Sequence, residues 1–264
     1  MKIYTAWYLF FALLLAINGC VHNPITGSRG FVIVPEDVMN DLGAQSYAEV
    51  KKEITPSQNA RDKEIVNRVA SRIAKASGKN YNWEVTLAQT QEANAFVLPG
   101  GKIMVNTGIL DPAQNEAALA FILGHEVGHA VAKHGAQRIS QQLLAAGALA
   151  TLSEVTLANS PERDVILAGL GLGAEVGVML PFSRKHESEA DMMGLVYMAR
   201  AGYDPREAPK FWVRMGQGSA KPPEFLSTHP SDARRSADLE RQMAMAMSIY
   251  SNNPTKYGVG ERLR

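Results

Sequence analysis

The residues best suited to chemistry stand together in the segment Gly124-His125-Glu126-Val127-Gly128-His129. Two histidines four residues apart on a helix point the same way, because one turn takes about 3.6 residues. They can therefore hold one metal ion. Glu126 stands beside the first histidine and can take a proton from a water at that metal. Imidazole and carboxylate ligands at about 2.0–2.2 Å suit zinc, which lowers the pKa of its water to roughly 7. The His-Glu-x-x-His spacing thus predicts two ligands, His125 and His129, and a general base, Glu126. The rival reading is a helix that carries two histidines by chance. Ala117, Leu119, Phe121, Ile122 and Leu123 argue against it, because they predict a buried helix. A buried histidine pair is costly unless something such as a metal satisfies it. Gly124 and Gly128 would leave room beside the ion.

A catalytic zinc needs a third protein ligand and an open position. Downstream runs Ser183-Arg184-Lys185-His186-Glu187-Ser188-Glu189-Ala190-Asp191. Glu187 and Asp191 are four apart and share one helix face. Glu187 can complete a His/His/Glu set, and Asp191 can orient one of the histidines. Glu189 should face elsewhere. Alone, this run reads as the charged, solvated start of a helix; only beside the first motif does it gain chemical meaning. His134 falls five residues past His129, about 500° around a helix and so on another bearing, which predicts a structural role. His186 faces away from Glu187 and is expected in solvent.

The elements that must position these groups follow from periodicity. Helical patterns cover about 35–52 and 57–76, the second with Ile65, Val69 and Ile73 on one face. Trp83, Val85 and Leu87 alternate as in a strand over 83–88, and 95–98 with 102–106 form a hairpin around Pro99-Gly100-Gly101. Further helices are expected over 115–134, 188–201, 205–216 and 231–248. Residues 143–158 and 165–180 are apolar but short of the ~20 residues of a membrane span, and are expected as core or cover helices. The fold class is α+β and mostly helical, with a small sheet and an active-site helix.

The two motifs together resemble the HtpX, Oma-type and CAAX-prenyl-protease family of zinc metallopeptidases. The resemblance covers most of the chain and implies a zincin-like domain with one zinc. It makes Glu187 the third ligand and gives Asp191 a proton-donating or ligand-orienting part. Asn94-Ala95-Phe96-Val97, ahead of Leu98-Pro99-Gly100-Gly101, resembles the family's edge strand, where an extended substrate would add. Ser227-Thr228-His229-Pro230 with Arg235 resembles its late His-Pro and arginine element. There His229 either plugs the free zinc position or steadies the oxyanion, while the plain reading is a turn histidine. Arg235 is a candidate to support the ligands or the oxyanion. Asn23-Pro24-Ile25-Thr26-Gly27 resembles the start of the family's small periplasmic lipoproteins.

The N-terminus carries its own signal. Lys2 precedes an apolar run from Trp7 to Ile17, then Asn18, Gly19 and Cys20, the one cysteine of the chain. That order predicts a secretory signal over 1–19 and resembles a bacterial lipobox with Cys20 lipidated. Val21 after it favours the outer membrane by analogy with enteric sorting signals. Residues 20–35 are expected as an irregular lipidated linker, 36–252 as the peptidase domain and 253–264 as a loose tail. One cysteine makes no internal disulfide. A formal net charge of +1 gives no electrostatic case for nucleic acid as a partner. The expected activity is endopeptidase action on misfolded or unassembled envelope proteins. The rival from another class is a scaffolding lipoprotein that binds such clients without cutting them, a role that needs no Glu126.

Overall fold

The structure is a computed structural model and describes residues 20–145, 182–216, 224–229 and 233–264. The signal segment 1–19, most of the apolar stretches over 143–158 and 165–180, the Pro222-Pro223 pair and Pro230 lie outside the described residues.

The chain opens with a hairpin of β1 (Cys20–His22) and β2 (Arg29–Phe31), in register from Cys20 opposite Phe31 to His22 opposite Arg29. This corrects the expectation of an irregular linker. The turn residues between the strands close the hairpin: the Asn23 side-chain oxygen accepts from the amides of Ile25 and Thr26, and the Asn23 amide donates to the Ser28 carbonyl at 2.9 Å.

Helices α1 (Glu36–Glu53) and α2 (Ala60–Ser77) come next. Asn59 caps α2 by accepting from the Asp62 amide. Ile65, Val69 and Ile73 are buried on its inner face, and truncating any one to alanine would cost ~2–5 kcal/mol. The main sheet has β3 (Glu84–Ala88), β4 (Ala95–Leu98) and β5 (Lys102–Asn106) in the order β3-β5-β4. β3 runs parallel to β5, and β4 antiparallel, with Ala95 opposite Val105 and Leu98 opposite Lys102. Gly100 and Gly101 both have positive φ, 78° and 85°, the backbone that so tight a reversal requires. β4 is therefore an edge, pairing with β5 alone among the described strands.

A short α3 (Leu110–Ala113) leads into α4 (Glu116–Val131), and α5 (His134–Ala145) follows it. The described residues then give α6 (Arg184–Arg200), α7 (Glu207–Gly216), α8 (Glu224–Thr228) and α9 (Ala233–Asn252). The fold is α+β and mostly helical, as the periodicity predicts. One apolar core joins α2, the sheet, α4, α6 and α7 around Val69, Val105, Phe121, Leu195 and Phe211.

The expectation of a loose tail over 253–264 is also corrected. The carbonyls of Glu261 and Val259 accept from the amides of Glu116 and Ala117, both at 3.0 Å. Those amides belong to the first turn of α4 and have no partner within the helix. Leu263 is buried. The tail is thus held by the helix end it satisfies, a pairing of distant segments that local composition does not reveal.

Candidate metal centre

Helix α4 carries the first motif. Asn115 caps it by accepting from the Ala118 amide, and every residue from Glu116 to His129 is buried. Helix α6 carries the second motif, capped by Ser183, which accepts from the His186 amide. The two helices cross in close contact. A Cβ on Gly194 would stand 2.8 Å from the His125 nitrogen, and one on Gly124 would stand 3.0 Å from the Gly194 carbonyl oxygen. A Cβ on Gly128 would meet Met193 at 3.1 Å. Gly124 and Gly128 therefore make room for helix α6, not for the ion as the sequence reading expects.

That crossing brings the side chains together. Nitrogen or carboxylate atoms of His125, His129, Glu187 and His229 all lie within 4.8 Å of one another, and all four residues are buried. The two Nε2 atoms of His125 and His129 are 3.1 Å apart. His125 Nε2 lies 3.2 Å from His229 Nδ1 and 3.5 Å from Glu187 Oε2. Glu187 Oε1 lies 3.5 Å from His129 Nε2 and 3.0 Å from His229 Nδ1. Tetrahedral zinc with bonds of about 2.0–2.1 Å has ligand-to-ligand edges of roughly 3.3–3.4 Å. The separations sit around that value.

The outer contacts fix which nitrogen is bare. His125 Nδ1 lies 2.9 Å from Asp191 Oδ1. A carboxylate only accepts, so Nδ1 donates and Nε2 turns a lone pair inward. Arg235 grips Asp191 from the other side and also reaches Glu187 Oε2 at 2.8 Å. Its guanidinium lies 4.0 Å from the centre of the Trp212 ring. Burial pushes the Asp191 pKa up, but the charge and hydrogen bonds of Arg235 outweigh this and hold it below the usual range. Glu187 is likewise pushed up by burial and pulled far down by its histidine contacts. Burial, with a smaller push from His125 and His134, holds His129 well below its ordinary value against the pull of Glu187, which favours the neutral imidazole that can bind a metal. Burial pushes the Glu126 carboxyl up to about 7, against the pull of His229.

The donor set fits a divalent cation. Glu126, Glu187 and Asp191 are buried carboxylates, and Arg235 is the guanidinium that pairs with Glu187 and Asp191. With all three ionised, the cluster lacks two positive charges, which a zinc ion supplies. Glu126 Oε1 is buried and forms no hydrogen bond among the described residues. His229 Nε2 approaches it to 3.2 Å without making one.

Two sequence expectations change here. His134 does not lie on a separate bearing, because α4 ends at Val131 and Lys133 takes a left-handed φ of 58°. The break turns His134 back until its Nδ1 is 2.9 Å from His129 Nδ1. His186 is not solvated: it is 9% exposed and stacks on His134 at 4.2 Å, with the rings 13° from parallel. Glu189 does face away from the ion, as expected, and meets His134 and the Asn23 turn instead. Of the edge-strand residues, Asn94 and Ala95 are buried, Phe96 packs by Tyr47 and Leu98, and Val97 lines a cavity beside His129. Phe182, which no sequence pattern marks, stacks on His129 at 4.0 Å.

A mostly helical α+β domain, with two histidines from one helix and a glutamate from the next around a cation site, defines a zincin-like metalloprotease domain. The sequence profile of peptidase family M48 matches residues 56–243, and the chain belongs to that family. It is 36% identical over 231 residues to the mitochondrial metalloendopeptidase OMA1 of Schizosaccharomyces pombe, covering 84% of this chain and 66% of that one. It is 41% identical over 172 residues to the Arabidopsis thaliana protein of the same name, covering 64% of this chain and 34% of the relative. It is 28% identical over 200 residues to the beta-barrel assembly-enhancing protease of Escherichia coli, covering 70% of this chain and 41% of the relative. The chain thus spans from about a third to two thirds of the length of these relatives.

Proposed function

We propose that the chain is a zinc-dependent endopeptidase of the bacterial envelope, acting on misfolded or unassembled envelope proteins. Cys20 would hold it by lipid to the periplasmic face of a membrane, the outer one. The observation that carries the activity is the position of Glu126. Its buried Oε1 lies 3.9 Å from His125 Nε2 and accepts no hydrogen bond among the described residues. Burial raises its pKa above the ordinary carboxylate range, which suits a group that takes a proton from water and returns it to the leaving amine. When bound, zinc polarises a peptide carbonyl and makes water a stronger acid. His125, His129 and Glu187 hold it; Asp191 and Arg235 keep His125 and Glu187 in place.

An extended substrate would add to the open side of β4, which selects unfolded segments because a folded chain has no free strand to offer. Val97 of that strand lines, with His129, Met39, Pro99 and Phe182, a small cavity of about 40 Å³. The similarity to a bacterial beta-barrel assembly-enhancing protease supports the envelope setting. His229 lies between Glu187 and Glu126, which supports a resting state in which its imidazole fills the fourth ligand position.

Digestion of casein by the wild type beside Glu126→Gln tests the activity. The amide has nearly the shape of the acid but cannot take the proton, so the variant should keep zinc and lose about 10²–10⁴-fold in rate. Undiminished cleavage would remove Glu126 from the reaction. Fatty-acid labelling that persists in Cys20→Ser would show that Cys20 is not the lipidated residue.

A further inference from the structure

Three donors from the Asn23 turn converge on one oxygen of Glu189. Asn23 Nδ2 reaches Oε1 at 2.5 Å, Ser28 Oγ at 2.5 Å and Thr26 Oγ1 at 3.0 Å. The other oxygen, Oε2, lies 3.5 Å from His134 Nε2, an electrostatic contact. On its far side, His134 Nδ1 is 2.9 Å from Nδ1 of the ligand His129. Asn23 is 4% exposed, His134 0% and Glu189 8%. The line from the turn to the ligand is therefore shielded from water.

We propose that the Cys20–Phe31 hairpin is part of the metal site: through Glu189 and His134 it fixes the ring and the proton of His129. The chemistry follows from who can donate. Two imidazole nitrogens 2.9 Å apart need one proton between them. The Glu189 carboxylate only accepts, so it favours the proton on His134 Nε2. His134 Nδ1 is then bare and accepts from His129 Nδ1. His129 Nε2 is left with the lone pair that faces the ion. Asp191 sets His125 in the same way, so each histidine ligand has its own carboxylate, one direct and one through His134. Stacking limits tilting of the rings, since His186 covers a face of His134 at 4.2 Å and Phe182 a face of His129 at 4.0 Å. Both ends of the Asn23 side chain are used, the oxygen to close the turn and the nitrogen to hold Glu189. The hairpin is thus a rigid support and not a mere spacer behind Cys20. Glu189, His134 and Asn23 are positioning residues, none of them touching the ion.

The inference rests on the reading that zinc sits on His125, His129 and Glu187. The test is a chelator competition giving the zinc dissociation constant of the full chain in detergent, with the melting of the chelated protein alongside. Loss of a group that orients a histidine ligand weakens metal binding by roughly 10–100-fold. Glu189→Ala and His134→Phe should show that loss, and Ser28→Ala, on the half-buried turn, a smaller one. His134→Asn should restore most of the affinity, because its amide oxygen can accept from His129 while its NH₂ faces Glu189. A purely structural role predicts equal effects on melting of the chelated form and no rescue by asparagine. Unchanged zinc affinity in both Glu189→Ala and His134→Phe, with zinc lost in His129→Ala, would overturn the relay and leave the site intact. Zinc retained by His129→Ala would overturn the ligand reading itself.

Discussion

Arg235 holds Asp191 by two parallel hydrogen bonds, Nε to Oδ2 and Nη2 to Oδ1, each 2.7 Å long. Both groups are buried, at 4% and 2% exposure. A fork against a carboxylate fixes both planes, and so fixes the oxygen that receives the His125 proton. Removing Arg235 leaves two buried carboxylates, Asp191 and Glu187, without their guanidinium. Arg235→Ala should therefore cost ~3–5 kcal/mol in stability, and thermal unfolding of the chelated protein measures it. Arg235→Lys keeps the charge but loses the fork. It should recover part of that stability yet still bind zinc more weakly than wild type. Full zinc affinity in the lysine variant would show that charge alone suffices.

The contact between α4 and α6 is equally exposed to test. A methyl on Gly194 falls 2.8 Å from the backbone nitrogen of His125, and backbone cannot swing aside as a long side chain can. Overpacking of this kind typically costs ~1–3 kcal/mol. Gly194→Ala should lower the melting temperature and also weaken zinc binding, because it pushes apart the helices that carry His125 and Glu187. A variant with wild-type melting and affinity would show that the helices have slack.

What could be read in the sequence divides along the same line. The helix of His125 and His129 was legible because its apolar run and its motif are local, and so was the hairpin around Gly100-Gly101. The partnership of Gly194 with His125 was not, since it exists only once two helices cross. His134 was misplaced for an identifiable reason. The bearing argument assumes a continuous helix, and the left-handed Lys133 ends that continuity. A non-glycine residue with positive φ has no strong sequence mark. The tail over 253–264 carries turn residues that predict looseness, yet its carbonyls meet the unpaired amides of α4. Pairings between the two ends of a domain leave no periodic trace.

Acid should act through Glu36. Lys133 and Lys79 hydrogen-bond its carboxylate and pull its pKa from 4.5 to about 2, tying α1 to the end of α4 and to the loop after α2. A folded pKa below the unfolded one gives stability that is complete above the unfolded value. That stability fades as pH falls from 4.5 towards 2. The carboxylate is 37% exposed, so solvent screens the pairs and the effect is modest. Glu36→Gln should be less stable than wild type at pH 6, and the gap should shrink on acidification. Denaturant midpoints at a series of pH values decide it; a gap that widens at low pH would assign the acid sensitivity to another group.

The last prediction concerns His229, whose ring stands between Glu187, the proposed ligand, and Glu126, the proposed base. Its Nδ1 lies 3.0 Å from Glu187 Oε1, and its Nε2 lies 3.2 Å from Glu126 Oε1. It is 1% exposed, and Arg235 donates to its backbone carbonyl at 3.3 Å. A residue so placed competes with water for the position that a catalytic zinc must keep open. It also approaches the Glu126 carboxylate, the group proposed to receive the proton. On the latent reading, the imidazole holds both until a client strand on β4 moves the α8 segment that carries it. The α8 segment is within reach of the sheet, since the Phe225 amide donates to the Ala93 carbonyl at 3.0 Å, two residues before β4 begins. His229→Ala should then raise the basal rate on unfolded casein while zinc stays bound to the three remaining ligands. If His229 instead steadies the oxyanion, the same variant should slow cleavage at full zinc content, by about 10²–10³-fold for one lost donor. Rate and zinc content measured together on His229→Ala separate the two, and a slower enzyme with a full complement of zinc would end the plug reading.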